Sequence, residues 1–205
     1  WEEGPKKSLN ESIIRKVSNP FQLKSGLRMM SGNIGRAVMK ISAIDSNNMI
    51  IKAEAIVFEE QEDLIKAFKN NELDKDFIAV LPFQGPKQNG MPELHQLTPT
   101  LTILQRRGFK VGLITDGRMS GASGKIPAAI HVVPEARDGG LIAKIQTGDI
   151  ILMNAITGEL KCMDKNVNNR AIRTKDNSNV FGLGRELFFN MRAQVSSSEE
   201  GASFL

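Results

Sequence analysis

The sequence predicts a mixed α/β domain whose short strands form a closed or nearly closed barrel flanked by helices. Three observations support this fold class. About seven or eight apolar segments of strand length are separated by turn-forming residues, two or three segments have helical spacing, and two glycine-rich loops each follow an apolar strand. The chain has 205 residues, of which 40% are hydrophobic and 24% charged, so it can bury one sizeable core.

The first part of the chain predicts a polar extension and a hairpin. Residues 1–25 are mostly polar, and residues 26–36 contain three glycines that indicate a loop. Residues 37–44 and 49–58 have the composition of strands and flank an Asp-Ser-Asn-Asn turn. Two such segments around a short turn indicate an antiparallel hairpin.

The middle of the chain predicts alternating helices and strands. Residues 60–70 place apolar side chains at helical spacing, and residues 77–81 form a short apolar segment typical of a strand. A Gly/Pro-rich loop covers residues 83–95. Thr98 is the predicted N-cap of a second helix, with Pro99 as its first helical residue.

The last part of the chain predicts further strands around a second glycine-rich loop, followed by one helix. The expected strands are 109–115, an apolar segment at 126–133, then 141–145, 150–154 and 159–163, and the expected helix is 181–191. Residues 147–149 and 155–158 carry turn signals, which indicates that the last two strands form a hairpin.

Composition excludes several classes of protein. The net charge is only +4, the basic clusters are short, and the chain has no Tyr and one Trp, so we expect no nucleic-acid partner. No apolar run reaches the roughly 20 residues of a membrane helix, so we expect no membrane partner. The single cysteine, Cys162, excludes an internal disulfide framework and suggests a cytoplasmic protein.

The two glycine-rich loops carry most of the chemistry. Each follows a strand, so neighbouring parallel strands would open both loops at one edge of the sheet, where ligands bind in α/β folds. The side chains that this arrangement would gather are Lys87, Glu93, His95, Asp116, Arg118, Ser120 and Lys125. The second loop lacks the spacing of a phosphate-binding P-loop, because Gly124-Lys125 is followed by Ile126.

Each of these residues also has a structural interpretation. Ser120 can hydrogen-bond within its own loop, and Asp116 can cap the loop backbone. Glu93 can be a solvated carboxylate, and His95 can be a partly exposed residue before the helix. The basic residues can be surface charges, although two cations in a glycine-rich loop suit a carboxylate or phosphate. His131 lies among apolar residues and predicts a paired histidine of the core or its edge.

Two long motifs support a resemblance to a known family. They are FQGPKQNGMPELH at residues 83–95 and TDGRMSGASGK at 115–125, with shorter matches PEA at 134–136, GGLIA at 139–143 and GDI at 148–150. With these motifs the chain resembles the dihydroxy-acid and sugar-acid dehydratase family over about residues 8–192. The stretches that are similar to the branch acting on 6-phosphogluconate are SGNIGRAVMK at 31–40, GRMSGASGK at 117–125 and PAAIH at 127–131.

The resemblance implies a two-domain enzyme of which this chain is the smaller, C-terminal part. In that family a larger N-terminal domain holds an iron–sulfur cluster and most Mg²⁺ ligands, and a swivelling β-barrel-like domain closes the site. We therefore expect residues 1–25 to be an N-terminal extension or linker, 26–192 the swivelling domain and 193–205 a flexible tail. The expected partners are the cluster domain and a second copy of the protein in a homodimer.

The resemblance also implies roles for individual residues. Ser120 corresponds to the base that takes the C2 proton of the substrate, and Glu93 to a carboxylate that reaches Mg²⁺ from this domain. Charge and position suggest the residues that bind the substrate, namely Arg118, Lys125, Lys87, Asp116 and His95.

The expected reaction is the dehydration of 6-phospho-D-gluconate to 2-keto-3-deoxy-6-phosphogluconate, a hydro-lyase step of the Entner–Doudoroff pathway. The cluster ligands would lie in the other domain, because one cysteine cannot hold an iron–sulfur cluster. The chain alone is therefore expected to be inactive. Two alternatives remain open at this point: a dehydratase for a non-phosphorylated sugar acid or dihydroxy acid, and a non-catalytic binding or dimerisation module.

Overall fold

Eight short strands in the described part of the chain close into one barrel, which confirms the predicted fold class. The computed structural model describes residues 1–21, 26–119, 125–175, 182 and 184–205. The strands are β1 (Leu27–Gly32), β2 (Gly35–Lys40), β3 (Ile50–Val57), β4 (Phe77–Leu81), β5 (Val111–Thr115), β6 (Ala128–Val133), β7 (Ile150–Asn154) and β8 (Glu159–Cys162).

The strand order around the barrel is β1-β2-β6-β5-β4-β3-β7-β8. Strands β3, β4, β5 and β6 are parallel neighbours. The other pairs are antiparallel, except that β1 and β8 close the barrel as a parallel seam with the single register pair Ser31 and Glu159. Because β4 and β5 run in the same direction, the two glycine-rich loops leave the barrel at the same end.

Four α-helices and several 3₁₀ turns surround the barrel in the described residues. The helices are α1 (Gln61–Lys69), α2 (Pro86–Asn89), α3 (Leu97–Arg106) and α4 (Phe189–Gln194). The predicted helix at 60–70 is α1, and Glu60 and Asp63 form a capping box at its start. None of the helices in the described residues has the length and apolar character needed to span a bilayer.

The strands of the barrel contribute side chains to two apolar clusters. One fills the barrel interior and includes Met39, Ile78 and Val80, whereas the other lies between the barrel wall and helices α1 and α3 and includes Leu81 and Leu101. Strand β4 reads FIAVL and is buried along its whole length, because successive side chains point alternately into these two clusters. This two-sided burial fixes the positions from which the loops after β4 and β5 start.

The predicted hairpin between residues 37–44 and 49–58 is wrong. Strand β2 pairs instead with β1 and β6, whereas β3 pairs with β4 and β7. The glycines of 26–36, which indicated a loop, form a tight turn between β1 and β2, in which Gly32 pairs with Gly35. Gly35 has a φ of 134°, a conformation that glycine adopts without strain.

Other element bounds differ by a few residues or in type. The segment 141–145, predicted as a strand, is a 3₁₀ turn over Leu141–Lys144, because a short apolar run has no clear period. Helix α3 begins at Leu97, one residue before the predicted cap Thr98. Pro99 lies in its first turn, where a missing backbone N–H costs nothing.

The C-terminal residues form short helical segments. A 3₁₀ turn at Arg185–Phe188 runs into α4, where one helix was predicted at 181–191, although residues 181 and 183 lie outside the described part. Within the predicted tail, residues Ser198–Glu200 form a capped 3₁₀ turn, and Glu199 forms an ion pair with Arg36 of β2. The domain boundaries and the flexibility of the tail stay predictions.

Candidate functional site

The loops that follow β4 and β5 meet through Glu93 and Arg118. These residues form an isolated parallel backbone bridge, and the Leu94 N–H donates to the Arg118 carbonyl oxygen at 3.1 Å. The Arg118 guanidinium lies 3.3 Å from the Glu93 carboxylate, and its Nε donates to the Met91 carbonyl oxygen at 2.8 Å. The expectation that both loops open at one end of the sheet is confirmed.

Asp116 lies directly after β5 and connects three loops. Its Oδ1 accepts a hydrogen bond from the Gln84 N–H at 2.8 Å, and its Oδ2 accepts from the N–H groups of Phe83 at 3.2 Å and Ala136 at 2.8 Å. The residue is fully buried, and burial raises the pKa of Asp116 while these amide donors oppose the rise. Of the two interpretations from the sequence, the geometry favours the loop cap over substrate binding.

Three other predicted site residues lie further out. The Lys87 Nζ is 2.6 Å from the Asp138 carboxylate, so its charge is shared with an acid of the loop after β6. The side chains of His95 and Lys125 are exposed, and the His95 carbonyl oxygen accepts from the Thr98 N–H at the start of α3. The substrate-binding roles of Lys87, His95 and Lys125 stay predictions.

Glu135 is a buried acid for which the sequence indicated no role. Its side chain packs against Gly85, and its Oε2 accepts a weak hydrogen bond from the Lys87 N–H at 3.3 Å. Its Oε1 is buried and has no hydrogen-bond partner among the described residues. Burial, followed by the neighbouring charges of Asp116 and Asp138, raises the pKa of Glu135 to about 7. The residue contacts the loop after β4, a contact that sequence spacing does not reveal.

His131 lies closer to the loops than its apolar surroundings indicated. It is half-buried in β6 at a φ of 57°, and its backbone N–H donates to the Gly117 carbonyl oxygen at 2.9 Å. Burial lowers the pKa of His131, and the positive charge of Arg118 lowers it further. A neutral imidazole therefore lies near the arginine that joins the two loops.

The model of the family described as dihydroxy-acid/6-phosphogluconate dehydratase C-terminal matches residues 12–202 of the chain. The chain belongs to this dehydratase family. The match includes all eight strands of the barrel and both glycine-rich loops.

Several bacterial relatives of this chain are named phosphogluconate dehydratase. The chain is 50% identical over 204 residues to the phosphogluconate dehydratase of Pseudomonas aeruginosa. The aligned region covers 98% of this chain and 34% of that protein. The phosphogluconate dehydratase of Escherichia coli K12 is 49% identical over 206 residues, a region that covers 99% of this chain and 34% of that protein. A phosphogluconate dehydratase of Helicobacter pylori is 52% identical over 201 residues, a region that covers 95% of this chain and 33% of that protein. The chain thus spans about a third of the length of these relatives.

The predicted base, Ser120, lies outside the described residues, together with residues 121–124 of the second loop. Met119, the last residue described before it, is buried. Lys125, the first residue described after it, is exposed. The role of Ser120 in the dehydratase domain therefore stays a prediction.

The described residues of the dehydratase domain cannot hold the implied cofactors alone. They contain no group of three or more His, Cys, Asp or Glu side chains suited to a metal ion. Glu93 fits one oxygen ligand of Mg²⁺, and further ligands would have to come from elsewhere. Cys162 is buried, and its backbone N–H and carbonyl oxygen bind the Asn33 side chain at 2.9 and 2.8 Å. One thiol does not fit an iron–sulfur cluster.

Proposed function

We propose that this chain is the C-terminal domain of an enzyme that dehydrates 6-phospho-D-gluconate to 2-keto-3-deoxy-6-phosphogluconate. The observation that carries the proposal is the contact between Glu93 and Arg118, which brings a carboxylate and a guanidinium from two loops to one end of the barrel. The phosphogluconate dehydratases to which the chain is about 50% identical support the same reaction.

The reaction removes a proton from C2 and a hydroxyl group from C3, and the resulting enol becomes the 2-keto acid. In this proposal Ser120 takes the C2 proton, and Arg118 with Lys125 holds anionic groups of the substrate. The Glu93 carboxylate would supply one oxygen ligand to Mg²⁺. When bound, Mg²⁺ and a cluster in the rest of the protein would supply Lewis-acid assistance to loss of the hydroxyl group.

The proposal requires further protein beyond these 205 residues. The chain spans about a third of its relatives, and its one cysteine leaves the cluster ligands to another domain. An N-terminal cluster domain is therefore a proposed partner, and the family resemblance adds a second copy in a homodimer as another. A cytoplasmic location is part of the same proposal.

The direct test compares this chain alone with the complete protein. Both are incubated anaerobically with Mg²⁺ and 6-phosphogluconate after iron and sulfide reconstitution, and the 2-keto product is measured. We expect product from the complete protein and none from the chain alone. Failure of the reconstituted complete protein to act on 6-phosphogluconate would overturn the proposal, and turnover of gluconate instead would favour a non-phosphorylated substrate.

Two substitutions in the complete protein test the assigned roles. Ser120→Ala removes the proposed base and is expected to lower kcat by about a thousandfold or more, with Ser123→Ala in the same loop as the matched control. Glu93→Gln removes a charged ligand and is expected to raise the Mg²⁺ concentration for half-maximal activity about tenfold, with the exposed Glu62→Gln as control. Unchanged turnover or an unchanged Mg²⁺ titration contradicts the corresponding role.

A further inference from the structure

An open cavity of about 460 Å³ lies beside the loop that follows β4. One wall is α2 with Gly90 and Met91, and the other is the C-terminal helical segment with residues after it. The Met91 carbonyl oxygen accepts the hydrogen bond from Arg118, so the cavity adjoins the Glu93–Arg118 contact. Apolar side chains on the C-terminal wall are Phe188, Met191, Val195 and Phe204.

Two arginines of the C-terminal helical segment face this cavity. Arg185 lies in the 3₁₀ turn and Arg192 in the following helix α4, and both line the cavity. Arg185 Nη2 donates to the Asn89 Oδ1 at 2.7 Å, and Arg192 Nη2 donates to the Arg185 carbonyl oxygen at 3.2 Å. The Arg185 guanidinium is thus held at the end of α2, and the Arg192 guanidinium is held beside the backbone of Arg185.

A third arginine adds to the positive charge. Arg137, in the 3₁₀ turn after β6, donates to the Lys87 carbonyl oxygen of α2 at 3.4 Å. Burial lowers the pKa of Arg192, and the nearby charges of Arg185 and Arg137 lower it further. Three like charges therefore gather on one side of α2, an arrangement that an anion would stabilise.

None of these three arginines forms an ion pair with a carboxylate among the residues that the structure describes. Nearby cations are neutralised in contrast, since Lys87 pairs with Asp138 at 2.6 Å and Arg36 pairs with Glu199. Within the described residues, the guanidinium donors of the three arginines contact neutral carbonyl or amide oxygens. The described part of the protein therefore presents these cationic donors without a carboxylate partner.

We propose that this cavity binds a phosphate monoester through Arg185 and Arg192, with Arg137 contributing charge. The inference rests on the proposed function, because the phosphate would be that of the sugar-acid substrate. Guanidinium groups match phosphate oxygens with paired hydrogen bonds, and a dianion suits several arginines better than a single carboxylate does. The apolar side chains of the C-terminal wall reduce the number of water molecules that compete for these contacts on one side of the cavity.

The assignment differs from the cations that sequence reasoning selected. Lys87 shares its charge with Asp138, and Arg118 shares its charge with Glu93. In the arrangement that we infer, the Glu93–Arg118 contact receives the carboxylate end of the substrate. The arginine cavity on the far side of Met91 receives the phosphate end.

The test measures binding of inorganic phosphate and 6-phosphogluconate to the 205-residue chain by titration calorimetry. We expect both to bind, and we expect Arg185→Gln and Arg192→Gln each to weaken binding about tenfold, with partial rescue by Arg192→Lys. Arg107→Gln is the matched control, because Arg107 already pairs with Asp74 on an exposed surface. Wild-type melting temperatures verify that the variants fold. Absence of phosphate binding to the wild-type chain, or wild-type affinity in both glutamine variants, overturns the inference.

Kinetics of the complete enzyme separate this inference from the proposed function. The preference for 6-phosphogluconate over gluconate, expressed as a ratio of kcat/KM values, is expected to fall about tenfold in Arg192→Gln. If the wild-type enzyme dehydrates 6-phosphogluconate and the ratio does not change, the inference is wrong and the proposed function stands. If the arginine variants lose phosphate binding but the enzyme has no dehydratase activity, the phosphate site stands and the proposed function is wrong.

Discussion

Asp116 illustrates how one buried carboxylate can organise loops that are distant in sequence. Its two oxygens accept hydrogen bonds from the N–H groups of Phe83, Gln84 and Ala136, which belong to the loops after β4 and β6. Removal of the carboxylate leaves three buried donors without partners. Each unpaired buried donor costs about 1–3 kcal/mol, so the loops would lose their shared anchor.

We therefore expect Asp116→Ala to lower the free energy of unfolding by about 3 kcal/mol or more. The measurement is urea denaturation followed by circular dichroism. Asp74→Ala is the control, because Asp74 forms an exposed ion pair with Arg107, and such pairs contribute about 0–1 kcal/mol. A loss at Asp116 no larger than that at Asp74 would contradict the structural role.

Glu135 predicts a dependence of stability on pH. Burial raises its pKa from 4.5 to about 7, so the folded protein retains a proton that the unfolded chain releases in this interval. Stability contributed at this residue therefore falls as pH rises from 4.5 to about 7 and is constant beyond that window. Burial also raises the pKa of Asp116, so Asp116 acts in the same direction. For Asp149, burial favours a higher pKa, but hydrogen bonds from Arg170 outweigh it and lower the pKa, so Asp149 acts in the opposite direction.

Glu135→Gln should remove this pH dependence because an amide does not titrate. We expect the variant to be as stable as the wild type near pH 4 and more stable at pH 8, by an amount of the order of 3 kcal/mol. Melting temperatures across this range provide the measurement, with the exposed Glu62→Gln as control. Parallel pH profiles for wild type and Glu135→Gln would show that the buried carboxyl does not titrate in this window.

At the scale of elements, the seam between β1 and β8 is the narrowest contact of the barrel. It contains one register pair, whereas β1 and β2 are paired over six. A Cβ atom on Gly32 would lie 1.9 Å from the Leu160 carbonyl oxygen and 2.8 Å from its carbon. Only glycine therefore lets these two strands approach each other so closely.

Gly32→Ala is accordingly expected to force the seam apart and to destabilise the protein by about 3 kcal/mol or more, in the range of severe backbone and packing clashes. Thermal unfolding by circular dichroism measures the loss. Gly4→Ala is the control, because no atom lies within 4 Å of a Cβ at Gly4. Equal melting temperatures for the two variants would mean that the strands separate there without cost.

Strands with a clear boundary could be predicted from the sequence, and strands defined by distant partners could not. Proline ends β4, and turn residues separate β7 from β8, so their positions were predicted closely. Strand β1 was missed because the three glycines of residues 26–36 resemble a loop, and because its neighbours, β2 and β8, are specified by tertiary contacts. The same limit explains the wrong hairpin, since composition identifies strands better than it identifies their partners.

For the candidate site, the sequence predicted which loops meet but not which side chains are engaged. Each of the two loops follows an apolar strand, and this order along the chain predicted that the loops carrying Glu93 and Arg118 would meet. The burial of Asp116 depends on the loop after β6, the strand beside β5, and the same loop carries Glu135 to the loop after β4. The arginines of the C-terminal segment approach α2 only in the folded protein, so no spacing rule would find them.

At the scale of the whole molecule, the two apolar clusters are expected to unfold together. Strand β4 contributes Ile78 and Val80 to the interior and Leu81 to the helical side, so neither cluster can melt without disturbing the other. The barrel should therefore unfold in one cooperative transition.

Two substitutions test this cooperativity: Met39→Ala in the barrel interior and Leu101→Ala on the buried face of α3. Each is expected to cost about 2–5 kcal/mol and to shift one common transition, whereas Ile103→Ala on the exposed face of α3 should cost little. Calorimetric and van't Hoff enthalpies of unfolding provide the measurement. Two separate heat-absorption peaks in either core variant would show that the clusters unfold independently.

The complete burial of β4 has a consequence during protein synthesis. All five residues of FIAVL have 0% exposure in the fold, and the segment carries no charge, proline or glycine. Such segments aggregate readily when exposed, and β4 emerges from the ribosome before its partner β5 does. Nascent chains that stop between these two strands should therefore depend most on chaperones, and truncations ending there should accumulate in inclusion bodies.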